Sequence, residues 1–227
     1  MRAELTDAVT RYSKEARVVV LTGSGSAFCS GQDLGDGNSL QSVDLERTLR
    51  DEYEPLIRAL ANSPVPTVTA LNGAAAGAGA NLALAADIVI AKSSAYFVQA
   101  FSRIGLIPDV GGTYFLPRAM GLAKAIGSSI FADKIMAAEA QEIGLIYEYV
   151  EDDNYDIHLK SRVEYLSNGP TVAFTGIKTA MRKSLNNSLD EQLELEAKLQ
   201  KKCGNTRDFQ EGVLAFHEKR DAKFEGR

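Results

Sequence analysis

The sequence predicts an α/β protein, a strand-containing body followed by a helical last third. Three observations predict it. Short apolar runs at residues 18–21 (VVVL), 67–71 (TVTAL) and 88–91 (IVIA) have the length and β-branched content of buried strands. The stretches between them carry apolar residues at helical spacing. After about residue 155 the helical spacing continues and the strand signal stops.

A chain of 227 residues is one large domain, or one domain with a helical appendage. The expected division is a core over 1–150 and a helical region over 151–227. With 25 Lys and Arg against 30 Asp and Glu, the net charge of −5 gives no electrostatic case for nucleic acid or an anionic membrane. Two cysteines, Cys29 and Cys203, without CxxC spacing, suit a reducing cytosol better than a disulfide or zinc scaffold, so a cytoplasmic protein is expected. The first residues are charged and lack a signal-peptide core. Residues 65–91 are apolar but broken by Pro66, Asn72, Asn81 and Asp87, which reads as core rather than a membrane span.

In order, Leu5, Ala8, Val9 and Tyr12 set a helix over 3–16. A strand over 18–21 leads into a glycine-rich loop, residues 22–37. Leu45, Leu49, Tyr53, Leu56, Ile57 and Leu60 form the apolar stripe of a helix over 43–62, ended by the segment SPVP. The strand at 67–71 runs into residues 72–77, a Gly/Ala turn, and a small-residue helix over 77–85. This stretch, with the next strand, has the smallest side chains in the chain, and small residues let backbone approach a ligand closely. The expectation is that backbone N–H groups here receive a ligand oxygen. Gly111 and Gly112 open a helix expected to break near Pro117, and helices follow at 122–131 and 137–143. Four more are expected at 155–167, 171–185, 189–203 and 208–218, the third begun by a Ser188/Glu191 capping box.

Several chemistries are disfavoured. The start VVVLTGSGSAF has Gly23 and Gly25 but Phe28 at the third glycine position, so a dinucleotide fingerprint, and with it a nicotinamide dehydrogenase, is disfavoured; no Walker-type phosphate loop exists. His158 and His217 sit among charged helical residues and are expected to be solvated, leaving no base for a Ser or Cys nucleophile. Cys29 is expected to pack rather than react. Carboxylates remain. Asp87 is expected to orient the turn before Ile88, and Asp33 and Asp36 to serve a polar loop. Asp109 lies in the apolar loop GLIPDVGG before a helix start, either as an N-cap or as a general acid/base whose pKa is raised by apolar surroundings.

Taken together, residues 27–34 (AFCSGQDL), 72–87 (NGAAAGAGANLALAAD) and 105–113 (GLIPDVGGT) resemble the enoyl-CoA hydratase/isomerase, or crotonase, family. The resemblance runs from about residue 3 to the C-terminus. It implies a spiral of β-β-α units, assembly as a trimer or dimer of trimers, acyl-CoA thioester substrates, and no cofactor beyond the coenzyme A of the substrate. It places two oxyanion-hole N–H groups on Gln32 and Ala78. Substrate or CoA contacts fall on Phe28, Ser30, Asp33, Leu34, Gly77, Asn81 and Phe101, with Lys219 as a contact from the closing helix. Hydratases of the family carry glutamates where this chain has Asn81 and Phe101, so hydration is not the expected reaction. Retained Asp109 makes the chain similar to the ring-1,2-epoxyphenylacetyl-CoA isomerases of phenylacetate breakdown, by shared NGAAAGAGANLALA, FVQAFSRIGLIPD and EGVLAFHEKRDAKFEGR. The alternatives are a 4-chlorobenzoyl-CoA dehalogenase-like enzyme, an enoyl-CoA hydratase and a catalytically silent oligomeric member. The dehalogenase pairs its aspartate with a histidine, and none precedes Asp109. Family members begin with a β-hairpin that appears missing here, which is expected to cost strands and CoA contacts. Tyr96, Phe97, Phe101 and Tyr114 are candidates for an aromatic acyl pocket or for ordinary core.

Overall fold

The computed structural model describes residues 1–33 and 44–227. Leu34, Asp36 and the first residue of the expected 43–62 helix lie outside the described residues. Residues 1–11, 20–63 and 67–159 form one compact unit, and 12–19, 64–66 and 160–227 form a second.

The first unit is built by a repeating pattern of two strands and a helix. Helix α1 (Arg2–Glu15) precedes β1 (Val19–Thr22) and β2 (Ala27–Cys29). A helical stretch follows, α2 (Leu45–Thr48) and α3 (Glu54–Ala61), joined by one π-turn over Leu49–Tyr53. Then come β3 (Thr67–Leu71), β4 (Ala74–Ala76) and α4 (Ala78–Leu84). The next turn holds β5 (Ile88–Lys92), β6 (Tyr96–Val98), α5 (Gly112–Met120) and α6 (Leu122–Phe131). The last holds β7 (Lys134–Met136), α7 (Ala137–Glu142) and β8 (Glu148–Val150). The first strands of the first three turns line up in one sheet and the second strands in another; in the last turn the order is exchanged, giving β1-β3-β5-β8 and β2-β4-β6-β7. Pairing is parallel between β3 and β5, β5 and β8, β2 and β4, and β4 and β6, and antiparallel between β6 and β7. This is the expected β-β-α spiral.

The core explains which parts were readable. Strand β3 is buried at every position, and its apolar run has no alternation. Every residue of α4 is buried too, so the helix shows no polar face. Leu71, Ala75, Ala80, Ala83, Phe97, Leu116 and Ile135 share one apolar cluster; Val9, Leu56, Leu60, Leu82 and Ala85 share another. Burying one such leucine contributes roughly 1.5–3 kcal/mol.

Several expectations are corrected. Strands β2, β4, β7 and β8, three residues each, were not resolved in the sequence because a three-residue strand has no periodicity to read. The helix expected to break near Pro117 runs through it to Gly121 (φ 78°), because Leu116 and Met120 are buried on either side of the proline. Leu45, counted in an apolar stripe, is exposed. His158, expected to be solvated, bonds Glu148 Oε1 through Nε2 at 2.8 Å. Asp87 does orient its turn: its Oδ2 accepts from Thr67 N and Oγ1, both at 2.9 Å, tying the start of β5 to that of β3. No helix among the described residues is long and apolar enough to cross a membrane.

The second unit contains the later part of α8 (Tyr155–Asn168), then α9 (Thr171–Ser184), α10 (Leu189–Gly204) and α11 (Arg207–Glu218). The Ser188/Glu191 capping box is present at the start of α10. Arg17 holds the closing tail, donating to Thr171 Oγ1 at 2.9 Å, to Phe224 O at 3.2 Å and to Gly169 O. Buried Asp208 accepts from Glu225 N at 2.6 Å and Gly226 N at 2.9 Å.

Candidate active site

The small residues of 72–80 are dictated by contacts with β2 and the loop before it. A Cβ on Gly79 would meet Cys29 O at 2.4 Å and Cys29 Sγ at 2.7 Å. A Cβ on Gly73 would meet Ser26 O at 2.1 Å. Asn72 fastens the same loop from below, donating to Gly25 O at 3.0 Å and Ala27 O at 3.2 Å and accepting from Gly23 N at 3.0 Å. The loop therefore lies directly on the first turn of α4.

That contact assembles one side of the site. Gly77 caps α4 with φ 52° and ψ −126°, a conformation suited to glycine. The N–H of Ala78 is the first of the helix and has no intrahelical acceptor, and the helix dipole makes this end favourable for negative charge. Gly31, at φ 96°, brings the other segment in: a Cβ there would stand 3.0 Å from Ala76 O and 3.7 Å from Ala78 N. Gly31, Gln32, Asp33, Ala78 and Gly79 line a cavity of about 660 Å³ together with Tyr53.

Asp109 stands beside this cavity rather than on its wall. Its carboxyl is half-buried, and Oδ1 has no hydrogen-bond partner among the described residues. Burial pushes its pKa up to about 6, against a smaller lowering from its own backbone N–H. It is not a helix cap. The N-cap of α5 is Gly111, at φ 83° and without a side-chain cap, while the Asp109 carbonyl accepts from Gly112 N at 2.8 Å. Val110 follows at φ 51°, a strained conformation for a β-branched residue. Its side chain is buried against Tyr53 and Ala78, which links the Asp109 loop to the helix start.

Asn81, expected as a substrate contact, is not among the described residues lining the cavity. It is fully buried, its Nδ2 donates to Asp109 O at 2.9 Å, and its Oδ1 accepts from Gln99 Nε2 at 2.9 Å. Gly112 makes room for it, since a Cβ there would meet the Asn81 amide at 2.3 Å. Phe101 is buried with its ring against Gly77. Phe28, expected as a contact, packs into the main core instead. Ser30 is exposed. Lys219 belongs to the second unit, where it ends α11 in a left-handed conformation and is exposed. Of the proposed aromatic pocket, Phe97 is core and Tyr114 is outward, under the Arg118 guanidinium at 3.7 Å; none of the four is among the described residues lining the cavity.

Three residues of the site were missed as functional. Tyr53 was read as stripe, yet the π-turn that it closes sets it on the cavity wall. Arg2 donates to the Tyr53 hydroxyl at 3.1 Å and pairs with Glu52. Gln99 anchors Asn81 from 18 residues away. A phenol at the end of a π-turn carries no local signal of its own.

Comparison with known proteins gives a consistent answer. The family model for Enoyl-CoA hydratase/isomerase matches residues 1–227. The "Probable enoyl-CoA hydratase" of Rhodobacter capsulatus is 56% identical over 227 residues, covering 100% of this chain and 88% of that protein. The "1,2-epoxyphenylacetyl-CoA isomerase" of Escherichia coli is 42% identical over 232 residues, covering 100% and 88%. A crystal structure from Mycobacterium abscessus carrying the enoyl-CoA hydratase/isomerase name superimposes with a TM-score of 0.93 at 37% identity, covering 100% of this chain and 89% of that one. The chain belongs to the enoyl-CoA hydratase/isomerase family.

Proposed function

We propose that this protein is an acyl-CoA isomerase that moves one proton within its substrate, with a ring-1,2-epoxyphenylacetyl thioester as the acyl group it is built for. The observation that carries the reading is Asp109, a half-buried carboxyl with a pKa of about 6 and an unpartnered oxygen beside the start of α4. In this reading the N–H groups of Gln32 and Ala78 receive the thioester oxygen, and coenzyme A enters as part of the substrate. The Asp109 carboxylate takes the proton from the carbon next to the thioester carbonyl. The electron pair moves onto the carbonyl oxygen as an enolate, and the carboxyl returns the proton two carbons further along. The result is a shift of a β,γ double bond to the α,β position. For the ring epoxide, an arene epoxide and an oxepin interconvert by breaking the ring C–C bond that they share. The same proton transfer then traps the oxepin as its conjugated thioester. Self-association as a trimer or dimer of trimers is part of this reading.

Hydration is the second reading, favoured by the name of the Rhodobacter capsulatus relative. It is placed second because Asn81 is buried with both amide ends bonded and Phe101 is a hydrocarbon, so neither can carry a proton to or from water.

Turnover of ring-1,2-epoxyphenylacetyl-CoA, a 3-enoyl-CoA and a 2-enoyl-CoA by wild type and Asp109→Asn tests this. Isomerisation of the first two, lost in the variant, is the expected result. Unchanged rates in the variant would remove Asp109 from the chemistry. Hydration of the 2-enoyl ester without isomerisation would overturn the reading in favour of the second.

A further inference from the structure

We infer that Tyr53 is a specificity-determining residue, a hydrogen-bond donor that recognises an oxygen atom carried on the acyl group itself. The inference rests on the isomerase reading for the path the acyl group takes. That path runs from the start of α4 at Ala78 to Asp109, and Tyr53 packs against both Ala78 and Val110. Its ring is buried, yet the residue lines the cavity. Arg2 fixes how the phenol behaves. The guanidinium lies 4.7 Å over the ring and donates from Nη1 to the hydroxyl oxygen at 3.1 Å. One lone pair of the phenol is thereby occupied and its proton is left to donate. Among the described residues that proton has no acceptor. Burial raises the phenol pKa, with Arg2 opposing, which keeps the proton on at neutral pH.

A phenol donor on the cavity wall with no acceptor among the described residues favours an acyl group that brings an acceptor to it over a purely hydrocarbon chain. An epoxide, oxepin or ring hydroxyl oxygen supplies one; a straight 3-enoyl chain does not. The phenol therefore does not take part in the proton transfer. It distinguishes oxygenated from hydrocarbon acyl groups at a site whose chemistry treats them alike.

Tyr53→Phe keeps the ring and removes the hydroxyl. Binding of 2-hydroxyphenylacetyl-CoA and phenylacetyl-CoA to wild type and variant, by calorimetry, reads the preference without any turnover. Wild type is expected to bind the hydroxylated ester more tightly by roughly three- to tenfold, and the variant to bind the two equally. No preference in wild type, or a preference that survives in Tyr53→Phe, would overturn the inference. Preference lost in the variant while wild type isomerises neither ring-1,2-epoxyphenylacetyl-CoA nor a 3-enoyl-CoA would leave the inference standing and sink the isomerase reading instead.

Discussion

Asn81 Nδ2 donates to the backbone carbonyl of Asp109 at 2.9 Å, and the same amide accepts from Gln99 at its other end. This buried bond joins the helix that carries Ala78 to the loop that carries the carboxyl. It also accounts for Val110 at φ 51°, because the loop is held on both sides of that residue. Replacing Asn81 with Ala takes the acceptor from Gln99 Nε2 and leaves the Asp109 carbonyl with Gly112 N alone. Stability should fall by about 1–3 kcal/mol in urea titration. In the isomerase reading kcat should fall more than KM rises, because the carboxyl is displaced and the helix N-terminus is not. Equal stability with unchanged kcat would show that the bond does not position the loop.

Asp109→Asn should lower isomerase turnover by about 10²- to 10⁴-fold. Wild-type kcat/KM should rise with pH along a limb centred at about 6, where the carboxyl ionises. That limb should be absent from whatever activity the variant retains. A wild-type profile flat between pH 5 and about 7 would mean that no carboxylate base of this kind is used.

The same residue sets a stability trend. The folded protein holds the Asp109 proton up to about pH 6, whereas the unfolded chain releases it near about 3.9. The folded state therefore binds more protons between those values, and this group's contribution to stability falls as pH rises through them. Asp109→Asn removes that fall. The variant should gain in Tm relative to wild type on going from about pH 4 to about pH 8. A difference that does not change with pH would show that the carboxyl is as well solvated folded as unfolded.

Gly79→Ala places a methyl 2.4 Å from Cys29 O, against backbone that cannot turn aside. Overpacking of this kind costs about 1–3 kcal/mol. The loop bearing Gly31 and Gln32 must then lift from α4, so acyl-CoA binding should weaken along with stability. Gly127→Ala, in α6 with open space around the new methyl, is the control: it should leave binding unchanged and raise stability by about 0.5–1 kcal/mol. Binding intact in Gly79→Ala would separate the loop from the ligand.

In the second unit, Asp208→Ala removes the acceptor for Glu225 N and Gly226 N. Hydrogen exchange at those two amides should speed up first, and stability should drop by about 1.5–3 kcal/mol because the bonds are to a charged group. Unchanged protection there would mean that the remaining contacts, Arg17 to Phe224 O and Lys223 N to Glu211 among them, hold the tail.

The sequence by itself determined the α/β class, the long helices and the strands of four or more residues, because each of these buries enough side chains to leave a period or an apolar run. It pointed to the backbone of the turn at 72–77 through the density of small residues in NGAAAGAGA, to Ala78 through the family resemblance, and to Asp109 through one charge in an apolar loop. Tertiary structure decided the rest. Strands β2, β4, β7 and β8 exist because neighbouring turns of the spiral supply their partners, not because their own three residues prefer to extend. Asn81 faces Asp109 and Gln99 because the spiral brings residues 28 and 18 positions away to it. Asp109 is a raised-pKa carboxyl rather than a helix cap because Gly111 takes the cap position. Tyr53 lines the cavity because a π-turn closes on it and Arg2, 51 residues earlier, meets its hydroxyl. Side-chain type and spacing specify what a segment can bury. Which groups end up facing one another across the site depends on contacts between distant segments, and those exist only once the chain has closed.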